Sequence, residues 1–407
     1  MKNCILITNE FPYFSGEPFL SNELPYLCKV FQNVYIFAIN AQNGDKITRN
    51  VPDNVKVYPL GGLHSKLKYL VFLLKGLMTH NKALSTKGKS LKQRLVCFYA
   101  KGRAYDVYNR IERIINSEKI DVDDSVIYGF WFTYQAIAAW LLKDKFIKEG
   151  KTAKALARAH GYDLYWERTS VGYLPYQDVS LQRLDMVYPC SAQGSEYLKE
   201  KYPELVGKIT VSKLGTVDYG LQPFDGERVL ATCCNLEPLK RMPLFAEAFC
   251  KVSKQISDCK WVCIGSGSDE AIVKEIISEA GLEKQVEMLG RTANDKVLEY
   301  YKSNPVTFFC NVSTSEGLPV SVMEALSFGI PVIATDVGGT SELVNSQNGR
   351  LLDADITADK LAEVLIEMLS QSGEDYKKMR QSARECWQNE VSASKNYRDF
   401  CDAIIKL

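Results

Sequence analysis

The chain has 407 residues, with 50 Lys and Arg against 49 Asp and Glu, a formal net charge of +1, 46% hydrophobic residues and 24% charged ones. That composition suits two domains, each able to bury a core without covalent staples, and it excludes a disulfide-bound miniprotein, a disordered tail and a collagen-like rod. The near-zero total gives no global reason to bind nucleic acid.

Residues 1–8 form too short an apolar run for a signal peptide and are predicted to be a first buried strand. The longest apolar stretch elsewhere, 69–74, falls far short of the roughly 20 residues a membrane span needs, so a cytoplasmic chain is expected. Short β-branched runs alternate with longer amphipathic segments, the pattern of parallel α/β sheets. It predicts strands near 3–8, 34–39, 55–59, 125–130, 154–158, 186–189 and 209–213. Between Asp53 and Asp106 no acid occurs, while Lys66, Lys68, Lys75, Lys82, Lys87, Lys89, Lys92, Arg94, Lys101 and Arg103 stand among aliphatic and aromatic residues. Such a mixture suits an anionic membrane leaflet, nucleic acid or a solvated basic helix pair.

After a loop at 221–226 the rhythm restarts, with strands expected near 229–234, 260–264, 285–288, 306–310 and 331–334. The reading is two Rossmann-like domains, 1–218 and 219–385, with a helix over 386–407 carrying Trp387, Tyr397 and Phe400 back onto the first. Ligands of open parallel sheets sit beyond the carboxyl ends of the strands, so two such sheets are expected to face a cleft. The twelve cysteines show no CxxC and lie mostly in apolar runs, as reduced thiols do. His64, His80 and His160 are the whole histidine complement, which argues against a His-rich metal site.

Residues 313–335 are the most informative stretch. A strand runs into a Ser/Gly/Pro loop, and a helix is predicted from Pro319 or Val320, where exposed amides and the helix dipole would hold an anion such as a diphosphate. Glu316 and Glu324 bracket that point, and ionised carboxylates accept well from sugar or ribose hydroxyls. Singly, Glu316 reads as a helix cap and Glu324 as a solvated helix face.

Together with Gly317-Leu318-Pro319, the run from Ala325 to Ile333, and the segments 336–344 and 348–352, the Glu-x7-Glu spacing resembles glycosyltransferase family 4, retaining enzymes of the GT-B fold. The resemblance implies that Glu316 contacts the donor sugar near the reacting carbon and that Glu324 holds the ribose hydroxyls. It makes Gly317 a donor-binding residue and places the amides of Leu318, Val320 and Ser321 at the distal phosphate; Pro319 has no N–H to give. Where the family carries an Arg and, five residues later, a Lys on the diphosphate, this chain has Asn235 and Lys240. Arg241 either supplies the missing charge or is an exposed cation at a helix start. Gly265, in Gly265-Ser266-Gly267, lacks the third glycine of a nicotinamide site and is read as the strand-end loop beside the nucleotide. Gly290-Arg291-Thr292 resembles the loop that meets the nucleobase, or is a plain turn.

In the first half, Gly16 follows the first strand where the family uses a glycine loop against the donor. Glu17 and Glu23 read as solvated acids or acceptor contacts. His160 resembles the family's histidine at the donor sugar, with Arg158 and Asp163 as subsidiary candidates. Asp121-Val122-Asp123 has the DxD form of a Mn²⁺ site but precedes its strand, so a surface turn is the better reading. The resemblance implies transfer of a sugar from a UDP- or GDP-sugar to a saccharide or lipid-linked acceptor in surface polysaccharide assembly. It implies no metal, no nucleic acid, and a site of action in the cytoplasm or on the inner face of the plasma membrane. A nucleotide-sugar epimerase and a non-catalytic membrane scaffold are the competing readings.

Overall fold

The computed structural model describes residues 2–62, 66–86, 88, 90–224 and 226–407, and of 66–68 the backbone only. His64, Lys87, Lys89 and Asp225 lie outside the described residues, as do the side chains of Lys66 and Lys68. The chain forms two compact units, residues 1–213 with 397–407, and residues 214–396.

The first unit is built on six parallel strands, β1 (Asn3–Thr8), β2 (Asn33–Ala38), β3 (Val55–Pro59), β4 (Ser125–Gly129), β5 (Ala153–Ala159) and β6 (Met186–Pro189), in the order β3-β2-β1-β4-β5-β6. β1 reads Asn-Cys-Ile-Leu-Ile-Thr with every residue buried; strands covered on both faces need no polar alternation. Helices α1 (Leu20–Val30), α2 (Lys66–Met78), α3 (Leu91–Ser117) and α4 (Tyr134–Lys148) follow in chain order. One face of the sheet packs a core that includes Val107, Ile111, Ile137 and Trp140. The other packs Leu20, Leu24 and Leu27 of α1 together with Phe400, Cys401 and Ile404. The strand expected at 209–213 is not formed. Only a single bridge, Val187 to Ile209, and two backbone bonds (Thr210 to Val187 and Ser212 to Pro189) run beside β6.

That irregular segment is pinned from below. Arg158, fully buried, donates to the Ser212 carbonyl (2.7 Å) and to the Tyr128 hydroxyl (2.8 Å), and its Nε lies 3.2 Å from Glu23 Oε2. Its guanidinium also sits 4.1 Å from the Phe400 ring centroid. Arg158 and Glu23 are therefore an internal ion pair, and neither is a candidate contact to substrate.

The second unit repeats the topology with β7 (Val229–Cys233), β8 (Lys260–Ile264), β9 (Val286–Gly290), β10 (Phe308–Asn311), β11 (Val332–Thr335) and β12 (Gly349–Leu352), all parallel, in the order β12-β11-β10-β7-β8-β9. β12 was not among the expected strands; Gly349 fits it to β11 because a Cβ there would lie 1.8 Å from the Val332 carbonyl oxygen. Residues 214–218 join this unit, against a seam expected at 218/219, because Thr216 is tied into it. Its amide donates to Val391 (3.0 Å), its carbonyl accepts from Ala393 (2.9 Å), and Trp387 Nε1 donates to its hydroxyl (2.8 Å). The last helix, Ala393–Ile404, begins in the second unit and from Tyr397 belongs to the first.

None of the twelve cysteines forms a disulfide. No helix among the described residues is long and apolar enough to cross a membrane.

Candidate active site

In each sheet the strand order reverses at its two central strands, β1/β4 and β7/β10, the point where doubly wound sheets collect ligands. In the second unit the chain leaves β7 at Cys233, β8 at Ile264 and β10 at Asn311, and the three exits are locked backbone to backbone. A Cβ at Gly265 (φ +132°) would fall 1.8 Å from the Cys234 carbonyl oxygen, and one at Gly267 would fall 2.4 Å from that of Leu236. The Gly265 amide donates to Gly290 (2.8 Å), which joins two of the sequence candidates directly.

On this platform Lys240 Nζ lies 2.6 Å from Glu316 Oε1, and Asn311 Nδ2 donates to the same oxygen at 3.1 Å. Glu316 is thus no helix cap; it is held by a cation and an amide contributed by other elements. Its backbone is fixed as well, since the Gly339 amide donates to Gly317 (2.7 Å) and Gly338 (φ +58°) leaves only hydrogen-sized room beside the Glu316 carbonyl. The helix Val320–Ser327 starts next to this cluster, with no side chain capping it and no acid in its first turn, and with Val320 and Ser321 half-buried. Leu318 is buried. An uncapped helix start is a ready anion site.

Glu324, one turn inside, is buried rather than solvated, and its Oε1 accepts from Asn294 Nδ2 at 2.8 Å. Burial pushes its carboxyl up to about 7, with the Asn294 bond pulling the other way. Asn294 escaped sequence reading, although it follows the Gly290-Arg291-Thr292 loop by two residues. In that loop Gly290 has φ +63°, Thr292 donates back to the Gly290 carbonyl (3.1 Å) and Arg291 is exposed.

Arg241 is not an exposed cation. It is half-buried at φ +51°, its Nε donates to the Val312 carbonyl just past β10 (2.6 Å), and its Nη2 is buried without a partner. Asn235, where the family Arg would stand, is exposed. Cys234 was also missed; burial raises its thiol to about 12 while Lys240 pulls it down, which keeps it a protonated, weakly reactive thiol at neutral pH.

In the first unit, the exits of β1, β4 and β5 build a second cluster. His160, buried just after β5, has its ring 4.4 Å from Trp131 and 4.8 Å from Phe130 between centroids. Asp163 shapes this turn: Oδ1 accepts from the amides of His160 (2.8 Å) and Gly161 (3.0 Å), and Oδ2 from Phe132 (2.9 Å). His160 Nδ1 stands 3.5 Å from Asp163 Oδ2, and Nε2 is buried without a partner. Burial alone would raise the Asp163 carboxyl, but His160 and the amides outweigh it and hold it below the usual carboxylate value. Glu17 is buried, not solvated. It accepts from the amides of Asn9 (2.7 Å), Glu10 (2.8 Å) and Phe11 (2.8 Å) and from Trp131 Nε1 (2.6 Å). Beside it, the space a side chain at Gly16 would take is filled by the Glu10 carboxylate, 2.5 Å from such a Cβ. Asp121 and Asp123 form a surface turn in which Asp123 accepts from the Thr152 amide (2.8 Å).

The profile of the family described as Glycosyl transferases group 1 matches residues 220–386, so the second unit carries a glycosyltransferase domain. The GtfA subunit of the UDP-N-acetylglucosamine–peptide N-acetylglucosaminyltransferase of Streptococcus pneumoniae is 26% identical over 191 residues, covering 44% of this chain and 36% of the relative. The amylovoran biosynthesis glycosyltransferase AmsK of Erwinia amylovora is 27% identical over 163 residues, covering 39% of this chain and 40% of the relative. The matched region is thus well under half of either curated relative. Among solved structures, Anabaena HepE in complex with UDP matches over 100% of both chains with a TM-score of 0.67 at 16% identity. That likeness establishes the fold, two doubly wound α/β units of the GT-B type.

Proposed function

We propose that the chain is a retaining glycosyltransferase of family 4 that moves a sugar from a nucleotide diphosphate donor, a UDP- or GDP-sugar, to a saccharide or lipid-linked saccharide in surface polysaccharide assembly. The observation that carries this is the Lys240–Glu316–Asn311 cluster beside an uncapped helix start, with the buried Glu324 one turn further in. Kinship of the matched region to an amylovoran biosynthesis enzyme and the fold shared with UDP-bound HepE support the donor and acceptor classes.

As the bond between the anomeric carbon and the phosphate oxygen breaks, charge grows on the leaving diphosphate. Lys240 and the amides of Val320 and Ser321 stabilise it there, the electrostatic effect that gives most in a water-poor site. The acceptor oxygen joins the anomeric carbon on the face the phosphate leaves, and its proton passes to the departing phosphate oxygen. Glu316 holds the sugar hydroxyls. Lys240→Met is expected to lower kcat by about 10²–10³-fold, checked by steady-state donor consumption with acceptor present; an unchanged kcat removes Lys240 from the mechanism.

Glu324 gives the test of nucleotide binding. Its folded pKa of about 7 stands above the ordinary glutamate value of about 4.3, so between those values the folded protein holds a proton that the unfolded chain releases. Glu324 therefore favours the fold at low pH and loses that contribution as pH rises through the window. A ribose hydroxyl donates to the ionised carboxylate, so nucleotide binding should expel the proton and weaken as pH falls below about 7, by at most roughly tenfold per unit. Thermal stabilisation by UDP and by GDP, compared across pH in wild type and in Glu324→Gln, measures this. The Gln variant should keep only the diphosphate's own pH dependence. Parallel pH profiles for the two proteins would reject the ribose role, and stabilisation by neither nucleotide would reject the donor class.

A further inference from the structure

α2 is apolar on two opposite sides, and the fold uses only one. Its inner side meets α3 closely: Phe72 is buried, a Cβ at Gly76 would fall 1.8 Å from the Phe98 carbonyl oxygen, and one at Gly102 would fall 2.0 Å from that of Phe72. The Arg103 guanidinium completes the contact 4.8 Å from the Phe72 ring centroid. On the outer side, Leu70, Val71, Leu74, Leu77 and Met78 are 41–77% exposed. Their spacing of i, i+1, i+4, i+7 and i+8 makes one continuous stripe. Leu91, at the start of α3, is 74% exposed. Water-soluble surfaces seldom carry contiguous apolar patches of this kind unless something covers them.

The charges on the same stretch of chain identify the cover. No acid occurs between Asp53 and Asp106, and Lys82, Lys92 and Arg94 are exposed. The structure trims the basic set read from sequence. Arg103 is buried and donates to Asn40 (2.9 Å), Lys101 is buried, and Lys75 is bound to Asp106 (2.7 Å). A second copy of the chain docked through this stretch would bring together two segments, 54–105, that carry cations and no acid. An anionic surface meets both the stripe and its cations.

We propose that the outer face of α2 docks the protein on a bilayer rich in anionic lipid, with the stripe sunk among the headgroups and the cations at their phosphates. At 13 residues and about 1.5 Å of rise per residue the helix covers roughly 20 Å, less than the roughly 30 Å hydrocarbon core, so it lies in the interface plane rather than across it. This docking goes beyond the transferase reading and does not depend on it.

Co-flotation with phosphatidylcholine vesicles, with and without phosphatidylglycerol, tests the docking on the full chain at low and high salt. Wild type should float with phosphatidylglycerol vesicles at low salt and be released by high salt. A Lys82→Gln, Lys92→Gln, Arg94→Gln variant should lose about fivefold in partitioning per cation. A Leu74→Glu, Leu77→Glu variant should lose partitioning altogether. Both variants should keep the wild-type melting temperature, and any stabilisation by UDP that wild type shows, because the substituted side chains are exposed and remote in sequence from the donor site. Partitioning indifferent to phosphatidylglycerol, or unchanged in either variant, overturns the proposal. So does a dimer seen by light scattering that Leu74→Glu, Leu77→Glu dissolves in the absence of vesicle binding, which would assign the face to contact between copies.

Discussion

Replacing Glu316 by alanine is expected to lower turnover of a nucleotide-sugar donor by about 10³–10⁴-fold, roughly 4–5.5 kcal/mol of transition-state stabilisation, with the donor KM little changed. The reason lies in how the carboxylate is held. Lys240 at 2.6 Å and Asn311 at 3.1 Å both engage Oε1, and Gly338 and Gly339 fix the backbone behind it. A group fixed by three other segments costs no reorganisation when the sugar develops positive charge, so its loss should fall on kcat and kcat/KM together. Glu316→Gln, which keeps the shape and an oxygen for Lys240 but removes the charge, should fall between the two. The measurement is steady-state transfer with acceptor present, beside a thermal scan to show that the variant is folded. Wild-type turnover in the alanine variant would remove Glu316 from the chemistry and leave the cluster as packing.

The largest effect on stability is expected at Glu23. This carboxylate accepts from the Tyr128 hydroxyl at 2.9 Å and pairs with Arg158 at 3.2 Å, and both members of the ion pair are fully buried. Glu23→Ala leaves a guanidinium uncompensated beneath Phe400 and Tyr397, and removing one partner of a buried pair costs about 3–5 kcal/mol. The expected result is a lower denaturant midpoint. A companion Glu23→Gln, which keeps a hydrogen-bond acceptor, should recover part of the loss. Because the last helix packs on the same residues, proteolysis at the C-terminus should accelerate in Glu23→Ala. A midpoint within about 0.5 kcal/mol of wild type would mean that Arg158 finds water or another partner, and the internal pair would then not be what holds that helix.

Particular residues show how far local pattern reaches. The strands of both sheets other than β12 were legible because a strand covered on both faces reads as an unbroken apolar run. The segment 209–213 carries a similar run and fails to pair as a strand, since Arg158 and β6 take its carbonyls and amides one at a time. Glu316, Lys240, Gly265 and Gly290 were identified as candidates by motif, and the second unit gathers them at the exits of neighbouring strands. Asn294, Asn311 and Trp131 were not identified. Nothing in their immediate sequence separates an amide or indole aimed at a carboxylate from one turned to water.

The two α/β units, the glycine-bearing strand exits and the acid-free basic stretch were all determined by the sequence alone, because each follows from periodicity or composition within a few tens of residues. The states of the charged groups were decided only by the tertiary structure. Glu324 became a buried carboxyl rather than a solvated one, Glu23 and Arg158 an internal pair, Lys101 and Arg103 inward-facing cations, and the outer stripe of α2 an uncovered one. In each case the partner or its absence lies on an element distant in sequence, 135 residues separating Glu23 from Arg158 and 76 separating Lys240 from Glu316. The cost of burying a charge depends on what meets it there, and that is a property of how the strands are ordered rather than of any stretch of chain.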